Sequence, residues 1–312
     1  MMNIKRCLHC YEPVTGETEI HEKCAKKFYG VITVPKLEYE LSNLHLLAKE
    51  LIKSRITVPG VQAKLSLAFN DYKRRDKLTI VGVWGNYILK TPSDIYPYIV
   101  EIEDLTMHLA TLFKIETVPH SMIRLKSGEL AYITKRVDRE KDSKLHMEDF
   151  CQLSNRLTEN KYKSSMERIG RTIMKYSSNP IADSLTLFEL TLFSFITGNG
   201  DMHLKNFSLL YRGEIITLAP AYDLLSTRLL IPENKDNEEL ALTLNGKKWG
   251  FTKNDFISFA KNLKLNDKQI NNVFKKFHNS SLKVSEIIDC SFLTEELKCA
   301  YKELILNRSS RL

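Results

Sequence analysis

Several features are scarce in this chain of 312 residues. It has no block of five or six like charges, which excludes the kind of tail that grips nucleic acid through its backbone. The formal charge of +8 is instead spread along the chain, so it fits a partner rich in phosphate or carboxylate without identifying one. The one short basic run, Lys73-Arg74-Arg75, is flanked by Asp71 and Asp76 and reads as a solvated hairpin tip. The start, MMNIKRCLHC, lacks an apolar signal-peptide core. The longest apolar stretch, Leu185 to Ile196, carries Glu189 and falls short of the roughly 20 residues that cross a bilayer. These absences predict a cytoplasmic protein with no membrane partner. Six cysteines are too few for a disulfide scaffold. Internal repeats and low-complexity tracts are missing as well.

What remains is an ordinary globular composition, 43% hydrophobic and 27% charged, with enough chain for two lobes at roughly 150 residues per domain. Residues 1–30 read as a small unit with three of the cysteines, closed by Gly30. Apolar residues at helical spacing (Leu41, Leu44, Leu47, Ala48, Leu51) predict a helix over 39–53. Alternation and turn chemistry predict strands over 64–69, 77–83 and 86–90, and a hairpin over 120–137 turning at 126–128. A helix fits 101–113. The second half carries helix-period segments at 147–157, 164–176, 181–197, 253–262, 267–276 and 293–306, with one strand pair over 206–218. The predicted division is 1–30, then an N-lobe over 31–138, then a C-lobe over 139–312. The fold class is α+β and bilobal, with a β-rich N-lobe and an all-helical C-lobe apart from that strand pair. Cys151, Cys290 and Cys299 sit in apolar helical surroundings and are expected in the core.

The stretch GNGDMHLKNF (198–207) crowds polar groups between two apolar segments. Asp201 and Asn206 stand at the D-x-x-x-x-N spacing of a protein-kinase catalytic loop. That chemistry needs a carboxylate to orient and deprotonate an acceptor hydroxyl, and an amide oxygen within reach of Mg²⁺. An Asx-rich turn explains the same spacing, so the pattern alone leaves both readings open. Asp223 follows the next strand pair, where a kinase places a second metal-binding carboxylate. An N-cap is its bland alternative. Upstream, the strand Tyr87-Ile88-Leu89-Lys90 ends in a lysine suited to nucleotide phosphates, and Glu103 in the next helix is its candidate partner. Thr57-Val58-Pro59-Gly60-Val61-Gln62 lies where a phosphate-covering loop belongs. With one glycine it is neither G-x-G-x-x-G nor a Walker A loop. The backbone amides of Val58, Gly60, Val61 and Gln62 remain able to cover phosphates. His203 and Lys205 are candidates for added positive charge near the γ-phosphate.

Together these residues resemble the HipA family of bacterial serine/threonine kinases, the toxins of toxin–antitoxin systems. The matching motifs run in order: Pro-Gly-Val-Gln-Ala-Lys (59–64), Tyr-Ile-Leu-Lys (87–90), Ile-Thr-Lys-Arg-Val-Asp-Arg (133–139), Met-Glu-Asp-Phe-Cys-Gln (147–152), the stretch 198–207 and Ala-Pro-Ala-Tyr-Asp-Leu (219–224). The resemblance implies a protein-kinase-like fold that uses ATP and Mg²⁺ in the bacterial cytoplasm. It implies Asp201 as catalytic aspartate, Asn206 and Asp223 as magnesium ligands, Lys90 on the ATP phosphates, and Lys135, Arg136 and Val137 as the hinge facing adenine. It further implies autophosphorylation of the covering loop, for which Ser54 and Thr57 are the hydroxyls here. The family's long form carries an extra subdomain ahead of the loop, whereas the loop begins at residue 57 here. That resembles the short HipT-type toxin. Its expected partners are a HipS-like small protein and a HipB-like antitoxin, with DNA contacted only through the antitoxin. An aminoacyl-tRNA synthetase or another translation component is the implied class of protein substrate. Two alternatives remain open: a catalytically quiet binding module acting through the antitoxin, which predicts no labelling from γ-labelled ATP, and a small-molecule kinase on the same scaffold.

One further constellation is independent of these motifs. Cys7 and Cys10 are spaced C-x-x-C, and His21 and Cys24 follow as H-x-x-C. Three thiolates and an imidazole make a candidate tetrahedral zinc set. Reduced, unliganded cysteines in a small cap are the alternative.

Overall fold

A computed structural model describes residues 5–54, 62, 64–82, 84–140 and 143–312, with the side chains of 48–54 left out. The chain divides into two compact units. The first takes residues up to Asp104, Val118–Arg136 and Cys290–Leu293. The second takes Leu105–Thr117, Val137–Asp289 and Thr294–Leu312. The Cys/His segment is not a separate body, however, because its apolar residues are used up inside the first unit.

That usage begins with helix α1 (Glu22–Tyr29), which buries Cys24, Ala25, Phe28 and Tyr29 along one face. Its last turn is closed by Gly30 at φ 80°, whose amide bonds to Lys26 O, the left-handed cap that glycine adopts without strain. Helix α2 (Leu41–Ser54) follows. Strands β1 (Lys64–Phe69), β2 (Leu78–Ile80) and β3 (Tyr87–Lys90) come next, then helix α3 (Ile99–Leu112), then β4 (His120–Arg124) and β5 (Leu130–Lys135). The five strands form one antiparallel sheet in the order β2-β1-β3-β5-β4. β3 is central, pairing Leu89 with Leu65 on one side and with Ile133 on the other. Phe28 and Phe69 pack on Tyr87 of β3 at ring separations of 5.8 and 5.7 Å, which docks α1 on the sheet.

The second unit is built around α6. A two-stranded ribbon, β6 (Arg139–Glu140) and β7 (Ser143–Lys144), leads into β8 (His146–Asp149) and the single turn α4 (Phe150–Leu153). Helices α5 (Met166–Tyr176) and α6 (Pro180–Thr197) precede strands β9 (Ser208–Arg212) and β10 (Ile215–Leu218). Helices α7 (Lys253–Asn262), α8 (Asp267–Ser281), α9 (Val284–Asp289) and α10 (Glu295–Ser309) complete it. α6 starts with Pro180 at its first turn and buries Leu187, Phe188, Leu190, Leu192, Phe193, Phe195 and Ile196, as a core helix does. By length and composition this helix passes as a membrane span, yet 67% of it is buried inside the protein.

Two sequence expectations are corrected here. Residues 147–149, expected as the start of a helix, belong to a third strand of the C-lobe. β8, β9 and β10 form an antiparallel sheet, and His146–Asp149 are strand because they pair residue for residue with Ser208–Tyr211. The helical period over 147–157 shrinks to α4, which Asp149 starts through a capping box with Gln152. Of the three cysteines expected in the core, Cys151 is buried, Cys290 is half-buried and Cys299 is exposed.

α6 ends at Gly198, φ 70°, the first residue of the polar stretch. A Cβ there would stand 2.8 Å from both Arg228 Cβ and Leu304 Cδ2. Gly198→Ala therefore combines left-handed backbone strain with two contacts that must give way. It is expected to destabilise the protein by about 2 kcal/mol, read as a lower midpoint in denaturant unfolding at unchanged slope.

Candidate active site

The polar stretch folds as a loop braced mainly by its own backbone. Asn199 is fully buried, and its Oδ1 accepts the Asp201 amide at 3.2 Å. Gly200 N donates to Thr227 Oγ1 at 2.9 Å. The carbonyl of Asp201 accepts from His203 N at 2.8 Å and from Asn206 Nδ2 at 3.1 Å. Because the amide nitrogen of Asn206 is committed inward, its Oδ1 is the atom left to accept a cation. Asn206 itself is 5% exposed, held in the short 3-10 turn Leu204–Asn206.

Two side chains secure the loop from outside. Lys205 Nζ lies 2.6 Å from Asp149 Oδ2. The hydroxyl of Tyr222 donates to Lys205 O at 3.0 Å and stands 2.6 Å from Ser208 Oγ. Burial pushes the Tyr222 phenol well above its usual range, so it stays a neutral hydroxyl. Lys205 thus meets a carboxylate from β8 and acts on the loop's position.

Asp223 directly follows Tyr222 and adopts φ 60°. For a residue with a side chain this is an uncommon conformation, of the kind that clusters at functional sites. The backbone leading to it is anchored by Ala221 N donating to Glu116 O at 2.8 Å. Asp201 and Asp223 both act electrostatically on His203, raising its pKa, but burial outweighs them and holds the imidazole below its ordinary value. His203 is therefore neutral at pH 7, and the expectation that it adds positive charge is corrected. Its Nδ1 is buried without a hydrogen-bond partner among the described residues.

One contact had no signal in the sequence. Tyr162, from the segment between α4 and α5, donates its hydroxyl to Asp201 Oδ1, and its ring stands edge-on to His203 at 5.0 Å. Burial and the Asp201 carboxylate push this phenol far above its usual range. Tyr162 holds one carboxylate oxygen of Asp201. Where the loop serves the ATP chemistry that the resemblance implies, Tyr162→Phe is expected to lower kcat by about tenfold with KM for ATP little changed, one hydrogen bond to a charged group being in the range of about 1.5–3 kcal/mol. Steady-state kinetics check it.

The expected phosphate-contacting residues lie in the first unit. Lys90 Nζ is 2.5 Å from Glu103 Oε1, and both side chains are almost completely buried. Lys90 also lies over the ring of Tyr132, 5.5 Å from its centroid. Gln62 Nε2 donates to Thr91 O at 2.6 Å, the carbonyl that follows Lys90 in the chain. Thr57, Val58, Gly60 and Val61, and the side chain of Ser54, lie outside the described residues. Of the expected hinge, Lys135 N bonds to Pro119 O and Arg136 N to Asn86 O, each at 2.9 Å. The Lys135 side chain is half-buried over Phe28, 5.5 Å from the ring, and burial lowers its pKa. The amides of Lys135 and Arg136 are thus used within the fold.

The loop and Asp223 offer three oxygen donors, Asn206 Oδ1 and the carboxylates of Asp201 and Asp223, beside the neutral imidazole of His203. A hard set of this kind fits Mg²⁺, which takes few protein ligands and shares the rest with phosphates and water.

Known proteins carry the same architecture. Residues 56–284 match the family model described as the HipA-like C-terminal domain. Y4dM of Sinorhizobium fredii is 34% identical over 231 residues, covering 69% of this chain and 56% of the relative, and a protein of Haemophilus influenzae is 26% identical over 79% of each chain. Both are named "putative kinase". The chain thus spans little more than half the length of Y4dM. Among solved structures, HipA of Shewanella oneidensis, determined with HipB and its operator DNA, superposes with a TM-score of 0.69 at 22% identity, over 85% of this chain and 70% of that one. The proinflammatory kinase CtkA of Helicobacter pylori superposes with a TM-score of 0.58 at 17% identity, over 82% of this chain and 90% of that one. At such identities the likeness speaks for the fold.

Proposed function

Since the chain belongs to the family defined by the HipA-like C-terminal domain, we propose that it is an ATP-dependent serine/threonine protein kinase acting as the toxin of a bacterial toxin–antitoxin system. One observation carries this reading. Asp201 and Asn206 share a loop whose backbone fixes their separation, and Asp223, in a strained left-handed conformation, acts electrostatically on His203 of that same loop. A turn that merely joined helix to strand has no need of two carboxylates acting on one buried neutral imidazole.

Each residue then has a task. Asp201 would accept a hydrogen bond from the acceptor hydroxyl and take its proton as the hydroxyl oxygen bonds to the γ-phosphorus and the bond from that phosphorus to the bridging oxygen breaks, releasing ADP. Tyr162 holds the other oxygen of Asp201 in place. Asn206 and Asp223 would hold Mg²⁺. Lys90, fixed by Glu103, meets the nucleotide phosphates. Bound ATP with its Mg²⁺ supplies the phosphoryl group and the neutralisation of charge on it. Lys205 and Tyr222 keep the loop in register.

The acceptor is a serine or threonine of a translation component such as an aminoacyl-tRNA synthetase, and a second acceptor is the covering loop itself, at Ser54 or Thr57. A HipB-like antitoxin is the proposed partner, supported by the HipB-bound state of the solved Shewanella relative. A HipS-like small protein is the second proposed partner. The test is incubation of the purified chain with γ-labelled ATP, followed by intact-mass and phosphopeptide mapping against Asp201→Asn. Phosphate at Ser54 or Thr57 in the wild type alone is the expected result. No labelling of the chain or of any protein in a host extract would overturn the reading, and label recovered only in a small molecule would replace it with a metabolite kinase.

A further inference from the structure

The four candidate ligands of the Cys/His segment converge. The ligand atoms of Cys7, Cys10, His21 and Cys24 all lie within 4.8 Å of one another. Cys10 Sγ is 3.4 Å and Cys24 Sγ 3.9 Å from His21 Nδ1. Bond lengths of about 2.3 Å to sulfur and about 2.0–2.1 Å to nitrogen give tetrahedral S···N and S···S edges of about 3.6 and 3.8 Å, close to these separations. Four side chains drawn from two separate turns reach that spacing because the backbone arranges them. Cys7 N bonds to Glu12 O and Tyr11 N to Cys7 O, which folds Cys7 and Cys10 around a tight turn. His21 is the N-cap of α1, and Cys24 lies one turn into that helix.

The imidazole is also in the form a metal needs. His21 Nε2 is 3.0 Å from Pro13 O. A carbonyl only accepts, so Nε2 carries the hydrogen and Nδ1 presents its lone pair to the sulfurs. The His21 amide in turn donates to Cys7 Sγ at 3.5 Å, a bond that a thiolate accepts better than a thiol. Both are outer contacts of the kind that orient metal ligands.

We propose that Cys7, Cys10, His21 and Cys24 bind one structural Zn²⁺ ion that fastens this segment to the sheet and to α3. Binding converts three thiols to thiolates and releases their protons, with no change of oxidation state. All four positions are filled by protein, so the ion is closed to substrate. The residues beside the ligands make the attachments. Leu8 O accepts Met122 N of β4 at 3.1 Å and Ser121 Oγ at 3.3 Å. Tyr11, strained at φ 63°, donates its hydroxyl to Asp104 Oδ2 at 2.8 Å. Asp104 Oδ1 meets His120 Nδ1 at 2.8 Å and is the neighbour of Glu103 on α3. The ion thus holds the turn that braces the helix carrying the Lys90 counter-ion.

The test uses the full chain purified from zinc-supplemented medium and does not depend on kinase activity. Elemental analysis is expected to find one zinc per chain. Cobalt exchange is expected to produce thiolate charge-transfer absorption and the visible bands of tetrahedral Co²⁺. Cys10→Ser and His21→Ala, both at half-buried positions, are expected to lose at least about nine-tenths of the metal, whereas Cys151→Ser keeps it. Chelation is expected to lower the thermal midpoint of the wild type and not that of Cys10→Ser. If either variant fails to fold, the cobalt spectrum of the wild type decides alone. Protein that takes up neither zinc nor thiolate-bound cobalt, a Cys7–Cys10 disulfide in the isolated chain, stoichiometric iron in place of zinc, or full zinc in Cys10→Ser would each overturn the assignment.

Discussion

Asp201→Asn is expected to abolish phosphoryl transfer while the protein stays folded. A positioned general base contributes about 10²–10⁴-fold, so kcat is expected to fall by roughly 10³ or more. Asparagine keeps the shape but has no charge with which to take the proton. The fold survives because the loop is held by main-chain groups of Asp201. Its amide bonds to Asn199, and its carbonyl accepts from His203 and Asn206. Among the described residues the substitution touches the side-chain contact with Tyr162 and the field at His203. Circular dichroism and a thermal midpoint close to that of the wild type are the controls. Asp223→Asn is expected to behave alike, since asparagine tolerates a φ of 60° and the change removes charge without backbone strain. Turnover of either variant within a few-fold of wild type would remove these residues from the chemistry.

The second large effect concerns stability and activity together. Glu103 is 1% exposed and Lys90 4%. Removing one member of a buried ion pair costs about 3–5 kcal/mol, because the remaining charge loses its counter-ion in a low-dielectric setting. Glu103→Ala is therefore expected to lower the thermal midpoint by on the order of 10 °C. The double variant Lys90→Met/Glu103→Leu buries no charge there and is expected to recover most of that stability, as apolar replacements of buried pairs do. Its kinase activity is expected to remain lost, because no ammonium is left for the phosphates. Recovery of both stability and activity would show that the pair is structural only. Failure to recover stability would show that Lys90 and Glu103 act through other contacts.

The legible parts of the site were those set by local spacing. Asp201 and Asn206 share a six-residue loop, and Asp223 ends the strand pair that follows it, so the chain itself limits how far apart they stand. The helices were legible for a similar reason. An amphipathic or wholly apolar period over ten or more residues has few ways to bury itself, and α5, α6, α7, α8 and α10 lie close to their expected limits. His146–Asp149 were misread because their strand depends on pairing with β9, some sixty residues away. Periodicity within a window carries no information about that partner. Tyr162 was invisible for a related reason. A tyrosine in a polar connecting segment looks like any other until the fold brings its hydroxyl to Asp201.

The sequence by itself determined the order of chemical groups along the chain: a lysine closing an apolar strand, the loop with its carboxylate and amide, a second carboxylate after a strand pair, and four metal-seeking side chains near one end. Tertiary structure alone decided what each group faces. It made His203 neutral by burying it, although two carboxylates favour its charge. It turned Lys205 toward Asp149 and gave Lys90 to Glu103. It also aimed Nδ1 of His21 at two sulfurs by placing Nε2 on a carbonyl. The physical reason is common to all four. Burial, hydrogen-bond direction and the field of a neighbouring charge act over a few ångströms of space, and spacing along a chain does not specify them.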